Sequence, residues 1–210
     1  MSPGEDISGA RFRMVWGVLI AGLVAVAFAA GISYLRPGAP DLDRFGPAPE
    51  FALTSQTGDT FTSAELEGKV WMADFIFTRC GGMCPALAVR MRSLQEEFEG
   101  KDGWALVSFS VDPEYDTAKV LAEYAANLDA DSDRWKFLTG ERDTIHAISI
   151  QGFMLGVGES GDNTAEPILH SQRIVLVDTE NEIRGFYDAL DDETMKKLIG
   201  DARGLIEATR

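Results

Sequence analysis

Two thiols and one imidazole are the side chains whose type and placing suggest chemistry in this chain. Cys80 and Cys84 are its only cysteines, spaced C-x-x-x-C within Phe75-Ile76-Phe77-Thr78-Arg79-Cys80-Gly81-Gly82-Met83-Cys84-Pro85. The apolar run Val70 to Phe77 before them has strand composition and contains no Pro or Gly. Pro85 suits the first turn of a helix, where its missing N–H has no intrahelical partner. Leu87, Met91, Leu94 and Phe98 then recur at helical spacing. The thiols are therefore expected on a strand-to-helix loop, with Cys84 at or beside the helix N-terminus. The N–H groups of such an end favour thiolate over thiol. Three chemistries fit the pair: a structural disulfide, a redox dithiol, or a soft-metal site for Cu(I) or Zn(II).

Of the two histidines, His146 lies among Ile145, Ile148 and Ile150 in a predicted helix and reads as an ordinary helix residue. His170 follows the polar, Gly-rich stretch Gly156 to Pro167 and precedes the predicted strand Arg173 to Val177. It sits where a loop could deliver a third ligand to the two thiols. Two thiolates with an imidazole would satisfy both Cu(I) and Cu(II).

The remaining elements must position these groups. Phe51 to Thr54 and Thr60 to Phe61 flank Gly58-Asp59 as a hairpin, and Ser63 to Glu67 reads as a helical turn stopped by Gly68. Trp104 to Val111 is a strand ending at Asp112-Pro113, after which Asp116 can cap a helix from Thr117 to Leu128. Trp135 to Leu138 is a short strand, and Asp143 is placed to cap a helix running to about Gln151. Arg173 to Val177 and Glu182 to Tyr187 form a hairpin. Asp191 starts a last helix with Met195, Leu198, Ile199 and Leu205 on its apolar side. Strands and helices alternate before the closing hairpin and helix, which implies an α/β, thioredoxin-like domain with a mixed central sheet flanked by helices. The cysteine loop then lies at the C-terminal edge of a central strand, where open α/β sheets place their sites. Asp74, inside that strand, reads as structural.

The 210 residues allow one domain and an extension. A net charge of −15 and a pI near 4.5 argue against nucleic acid and against charge-driven binding to an anionic membrane face. Residues 14–35 form one long uncharged apolar run, enough to cross a bilayer as a single N-terminal transmembrane helix. Arg11 and Arg13 ahead of it place that side in the cytoplasm. The expected organisation is a cytoplasmic tail over 1–13, an inner-membrane anchor over 14–35, a Pro-rich linker over 36–49, and a periplasmic domain over 50–210. The competing reading is a cleaved signal at Ala27-Phe28-Ala29. In that oxidising compartment the thiols form a disulfide unless a reductant or a metal holds them.

Cys80-x-x-x-Cys84-Pro85, Ser110-Val111-Asp112-Pro113 with Asp116-Thr117, and His170-Ser171 ahead of an apolar strand ending in Asp178 together resemble the Sco/SenC family. The resemblance covers about Pro47 to the C-terminus. It implies a membrane-anchored, thioredoxin-like copper protein that assists assembly of the copper A centre of cytochrome c oxidase subunit II. It also implies Cys80, Cys84 and His170 as ligands of Cu(I) or Cu(II), other copper chaperones or thiol reductants as further partners, and an acidic position at Asp112 whose role is turn-capping or tuning. The family often has Pro after its first cysteine; Gly81-Gly82 here make the loop more pliable. The alternative is a thiol-disulfide oxidoreductase acting on exported proteins through Cys80 and Cys84. Peroxidase chemistry is weaker, because nothing else marks a peroxide pocket.

The topology has a direct test. A reporter fused after Arg210 is expected to be active only outside the cytoplasm, and mature protein beginning near Ala30 would show a cleaved signal instead.

Overall fold

The computed structural model describes residues 16–17, 19–24, 40–155 and 172–209. The expected membrane segment falls largely outside these; Trp16, Gly17 and residues 19–24 are helical, and no helix among the described residues is long and apolar enough to cross a membrane. His170 also lies outside the described residues. The compact α/β unit spans Ala39–Arg210.

Its strands are β1 (Ala52–Ser55), β2 (Thr60–Thr62), β3 (Val70–Ile76), β4 (Trp104–Ser110), β5 (Trp135–Thr139), β6 (Arg173–Val177) and β7 (Ile183–Asp188). They form one mixed sheet in the order β2-β1-β5-β4-β3-β6-β7. β3, β4 and β5 run parallel at its centre, β1 is antiparallel to β5, and β6 is antiparallel to β3. Every residue of β3 and β4 is buried, as expected for parallel strands covered on both faces. The hairpin β1–β2 turns at Gly58, whose φ of +89° favours glycine.

Residues of β3 alternate between two cores. Val70, Met72 and Ile76 pack with helices α1 (Cys84–Glu97), α2 (Ala118–Asn127) and α4 (Asp192–Ala208). Trp71, Ala73 and Phe75 face the other core, with the hairpin, the short helix α3 (Arg142–Ala147) and Phe153. There Phe51, Trp71, Phe75, Phe109 and Phe153 interlock, the Phe75 and Phe109 rings stacking at 5.1 Å. Helices thus cover both faces, as the alternation of elements predicts.

Three local expectations change. α2 is capped by Thr117, which accepts from Val120 N, and Asp116 is used elsewhere. α3 begins at Arg142 behind Glu141, so Asp143 falls in its first turn, and the helix widens into a π turn over Ile148–Gly152 instead of continuing. Gly152 ends that turn against Pro49, where a Cβ would come within 2.5 Å of the proline ring. Finally, the second half of the Pro-rich stretch 36–49 is laid along β7. Phe45 N donates to Ile183 O at 2.9 Å, Ala48 N donates to Asn181 O at 2.8 Å, and Arg184 reaches Leu42 O and Asp43 O. Extended Pro-rich backbone is well suited to lie against a sheet edge.

Asp74 is neither solvated nor ion-paired. It is fully buried in β3, on the same side as Met72 and Ile76 by alternation. Ser108 Oγ donates to its Oδ1 at 2.5 Å, and Trp135 Nε1 donates to Ser108 Oγ at 2.9 Å. Its Oδ2 has no partner among the described residues. Burial, only partly offset by the Ser108 bond, pushes its pKa up to about 7. The folded chain therefore holds a proton that the unfolded chain releases near 3.8. Stability should fall as pH rises from about 4 to 7 and stay lowered above that. Asp74→Asn should remove this fall and raise the unfolding free energy at pH 8 by up to about 4 kcal/mol, and with it the urea midpoint, with little change at pH 4. Midpoints measured across pH check it; a variant less stable than the parent at pH 8 would contradict it.

Candidate metal centre

The cysteine loop starts where β3 ends. Cys80 N donates to Phe77 O at 3.1 Å, closing a tight turn. That turn is laced to the β4–α2 loop by two carboxylates. Asp116, fully buried, accepts from Thr78 N at 3.0 Å, Thr78 Oγ1 at 2.5 Å and Ser110 Oγ at 2.5 Å. Asp112 Oδ2 accepts from Arg79 Nε at 3.1 Å and Nη2 at 2.5 Å, and the guanidinium lies 4.2 Å over the Tyr115 ring. The Asp112 carbonyl also accepts from Tyr115 N and Asp116 N. Asp112 therefore both starts the turn and fixes the cation beside Cys80. Sequence reasoning missed Thr78, Arg79, Tyr115 and the true use of Asp116. The four-residue spacing of Asp112 and Asp116 was the available signal.

Cys84 is the first residue of α1, as Pro85 implies, and Met83 precedes the helix without supplying a side-chain cap. The backbone N–H groups of Cys84, Gly82 and Met83 and the Cys84 thiol instead favour the charged form of Cys80. Burial works against ionisation of Cys80, but these donors outweigh it and hold its pKa below the usual thiol range. Cys84 is buried under the loop; burial and the neighbouring Cys80 push its pKa up to about 12. The helix-end argument alone favours a thiolate at Cys84. In the structure the favoured thiolate is Cys80, because the N–H groups of residues 82–84 favour the charged form of its sulfur. Both thiols are free, and a Cβ at Gly82 would rest 3.9 Å from Cys80 Sγ, so neither glycine is imposed by crowding.

Cys80, half-buried, and Cys84, buried, are neighbouring soft donors of the kind suited to Cu(I). N–H groups around Cys80 would offset the negative charge of a dithiolate. Tyr124 packs into the same core as both cysteines. Burial, then the nearby charges of Asp74, Cys84 and Cys80, push its phenol upward. No group of three His, Cys, Asp or Glu that could hold a metal occurs among the described residues. The strand after His170 starts at the thiol end of the sheet and runs away from it: Ala73 pairs with Val175 antiparallel, which sets the leading end of β6 at the cysteine end of β3. His146 lies in α3, away from this loop in sequence and on the element covering the opposite core.

Comparison with known proteins places this site in context. A family model described as SCO1/SenC matches residues 42–207. The SCO1 protein homolog of Bacillus subtilis is 30% identical over 155 residues, covering 73% of this chain and 79% of that protein. The solved structure of BsSco, described as a member of the Sco family of cytochrome c oxidase assembly proteins with a disulfide switch, is 30% identical. It has a TM-score of 0.67 and covers 79% of this chain and 96% of that one. Bradyrhizobium japonicum ScoI, solved with copper bound, shares the fold at 22% identity with a TM-score of 0.61, over 76% of this chain and 99% of that one.

The asymmetry of the thiols predicts their reactivity. With limiting iodoacetamide at pH 8, Cys80 should be carboxamidomethylated well before Cys84, since Cys84 remains a buried thiol up to about pH 12. Peptide mass mapping reads the order; equal or reversed labelling would contradict it.

Proposed function

This chain belongs to the SCO1/SenC family, and from that premise we propose that it is a copper-binding protein of cytochrome c oxidase assembly. It holds one copper through Cys80, Cys84 and His170, delivers it to the copper A site of oxidase subunit II or prepares that site's cysteines, and works from a single-pass anchor with its domain in the periplasm. The observation that supports this most is the pair of free, neighbouring thiols at the N-terminus of α1, which no side-chain cap closes. Copper is the cargo. Cys80 meets it as the thiolate that the loop N–H groups favour, and Cys84 gives up its proton as the second donor closes from beneath. Arg79, held by Asp112 and Tyr115, anchors the start of the cysteine loop. The copper bound in the ScoI structure and the oxidase-assembly role stated for BsSco lend the reading further support.

A second reading has its own observation. A thiolate-favoring Cys80 beside a protonated, buried Cys84 is the asymmetry of an attacking and a resolving thiol. In that reaction Cys80 attacks a partner's disulfide and Cys84 then displaces the mixed disulfide. The partner gains two thiols, and this chain gains one disulfide.

Metal titration of the reduced protein separates the two. One copper per chain is expected, with tight binding lost in Cys80→Ser and in Cys84→Ser. His170→Ala should weaken Cu(II) far more than Cu(I), because Cu(I) is content with two thiolates while Cu(II) favours nitrogen and more ligands. Absorption and electron spin resonance read both. Full affinity after either cysteine change would reject the copper site. Restoration of oxidase activity in deficient cells by His170→Ala but not by Cys80→Ser would leave the thiol-disulfide reading.

A further inference from the structure

The N-terminal half of α1 and the loop before it turn an uncharged face outward. Gly81, Gly82, Pro85, Ala86 and Val89 are exposed, Val89 at 60%. Pro85, Ala86 and Val89 share one side of the helix by their spacing. Leu190, 45% exposed, extends this face, because Arg90 grips the turn that carries it: Nε donates to Ala189 O at 3.0 Å and Nη2 pairs with Asp192. The charges at the margin are paired off, Arg79 with Asp112 and Arg90 with Asp192. An uncharged collar is out of keeping with the rest of a chain of net charge −15. It also adjoins the loop of Cys80, the less buried cysteine of the pair.

We propose that this collar is the docking face for the copper-accepting protein, which seats an apolar rim around its own metal site on Pro85, Val89 and Leu190. The inference rests on the copper-delivery reading above. Charge selects the occupant. A second copy of the chain would set −15 against −15, and an anionic bilayer face would be repelled as well, whereas an acceptor with neutral or basic flanks is steered inward. Hand-over also requires the acceptor's ligands to reach Cys80 while Cys84 is still covered, and a dry apolar rim around that sulfur keeps water from the exchanging metal. Affinity then comes from the collar, and the wider acidic surface governs the rate of encounter.

The test uses the full chain in mild detergent, loaded with Cu(I), and the purified copper-free copper domain of subunit II from the same organism. Transfer is followed by the copper content of the acceptor after the two proteins are separated at timed intervals. Val89→Glu and Leu190→Glu should each keep one copper per chain yet slow transfer about tenfold or more, the loss expected when a charge replaces an apolar contact inside an interface. Ile150→Glu, an exposed apolar position on the π turn, should transfer like the parent. Parent-like transfer by both collar variants would overturn the docking face and leave copper delivery standing. A parent chain that holds no copper would overturn both. Sedimentation that shows a dimer broken by Val89→Glu, or flotation with anionic vesicles abolished by it, would assign the collar to a second copy or to lipid and overturn the inference.

Discussion

The first turn of a helix has N–H groups with no partner inside the helix, and in α1 no side-chain oxygen meets them. The N–H of Cys84, with those of Gly82 and Met83 just ahead of the helix, acts on the sulfur of Cys80 and favours its thiolate. This one interaction makes the loop a site, because it gives the less buried of two neighbouring sulfurs the more stable thiolate. Cys84 is left beneath, buried and protonated. A metal or a partner disulfide thus meets an activated sulfur first and a second sulfur immediately behind it.

Such a loop is useful only if its base stays still. The base is fixed from β4, through Asp116 on Thr78 and Ser110 and through Asp112 on Arg79. Asp116 can be buried because three donors satisfy its carboxylate, the condition under which a buried charge is tolerated. Gly81 and Gly82 lie beyond these anchors, so pliability is confined to the part of the loop between the sulfurs. Asp74 is a different case. It lies under the same helix with one oxygen unpartnered among the described residues, and it is retained at a cost in stability that packing does not explain.

Much of this was legible in the residues. Val70 to Ile76 is apolar but for Asp74 because it is covered on both faces, and that pattern identifies a central strand. Pro85 placed Cys84 at the helix start, and the alternation of elements gave the mixed sheet. What failed was local competition for partners. Asp116 next to Thr117 looks like a helix cap, and only the packed loop offers it Thr78 and Ser110 instead. The N–H groups expected to act on Cys84 act on Cys80, because the turn at Phe77 to Cys80 decides where sulfur points. Residues 42–49 read as a loose linker from their prolines, yet β7 presents an edge that extended backbone can join. His170, the third expected ligand, lies outside the described residues; β6, which follows it, begins at the cysteine end of β3.

X-ray absorption at the copper edge of the Cu(I)-loaded chain tests the central claim most directly, since it reports the atoms around the metal without reference to activity. A first shell of two sulfur atoms is expected in the parent, falling to one in Cys84→Ser. A shell of nitrogen and oxygen alone, or a spectrum unchanged by Cys84→Ser, would contradict a copper site built on this thiol pair.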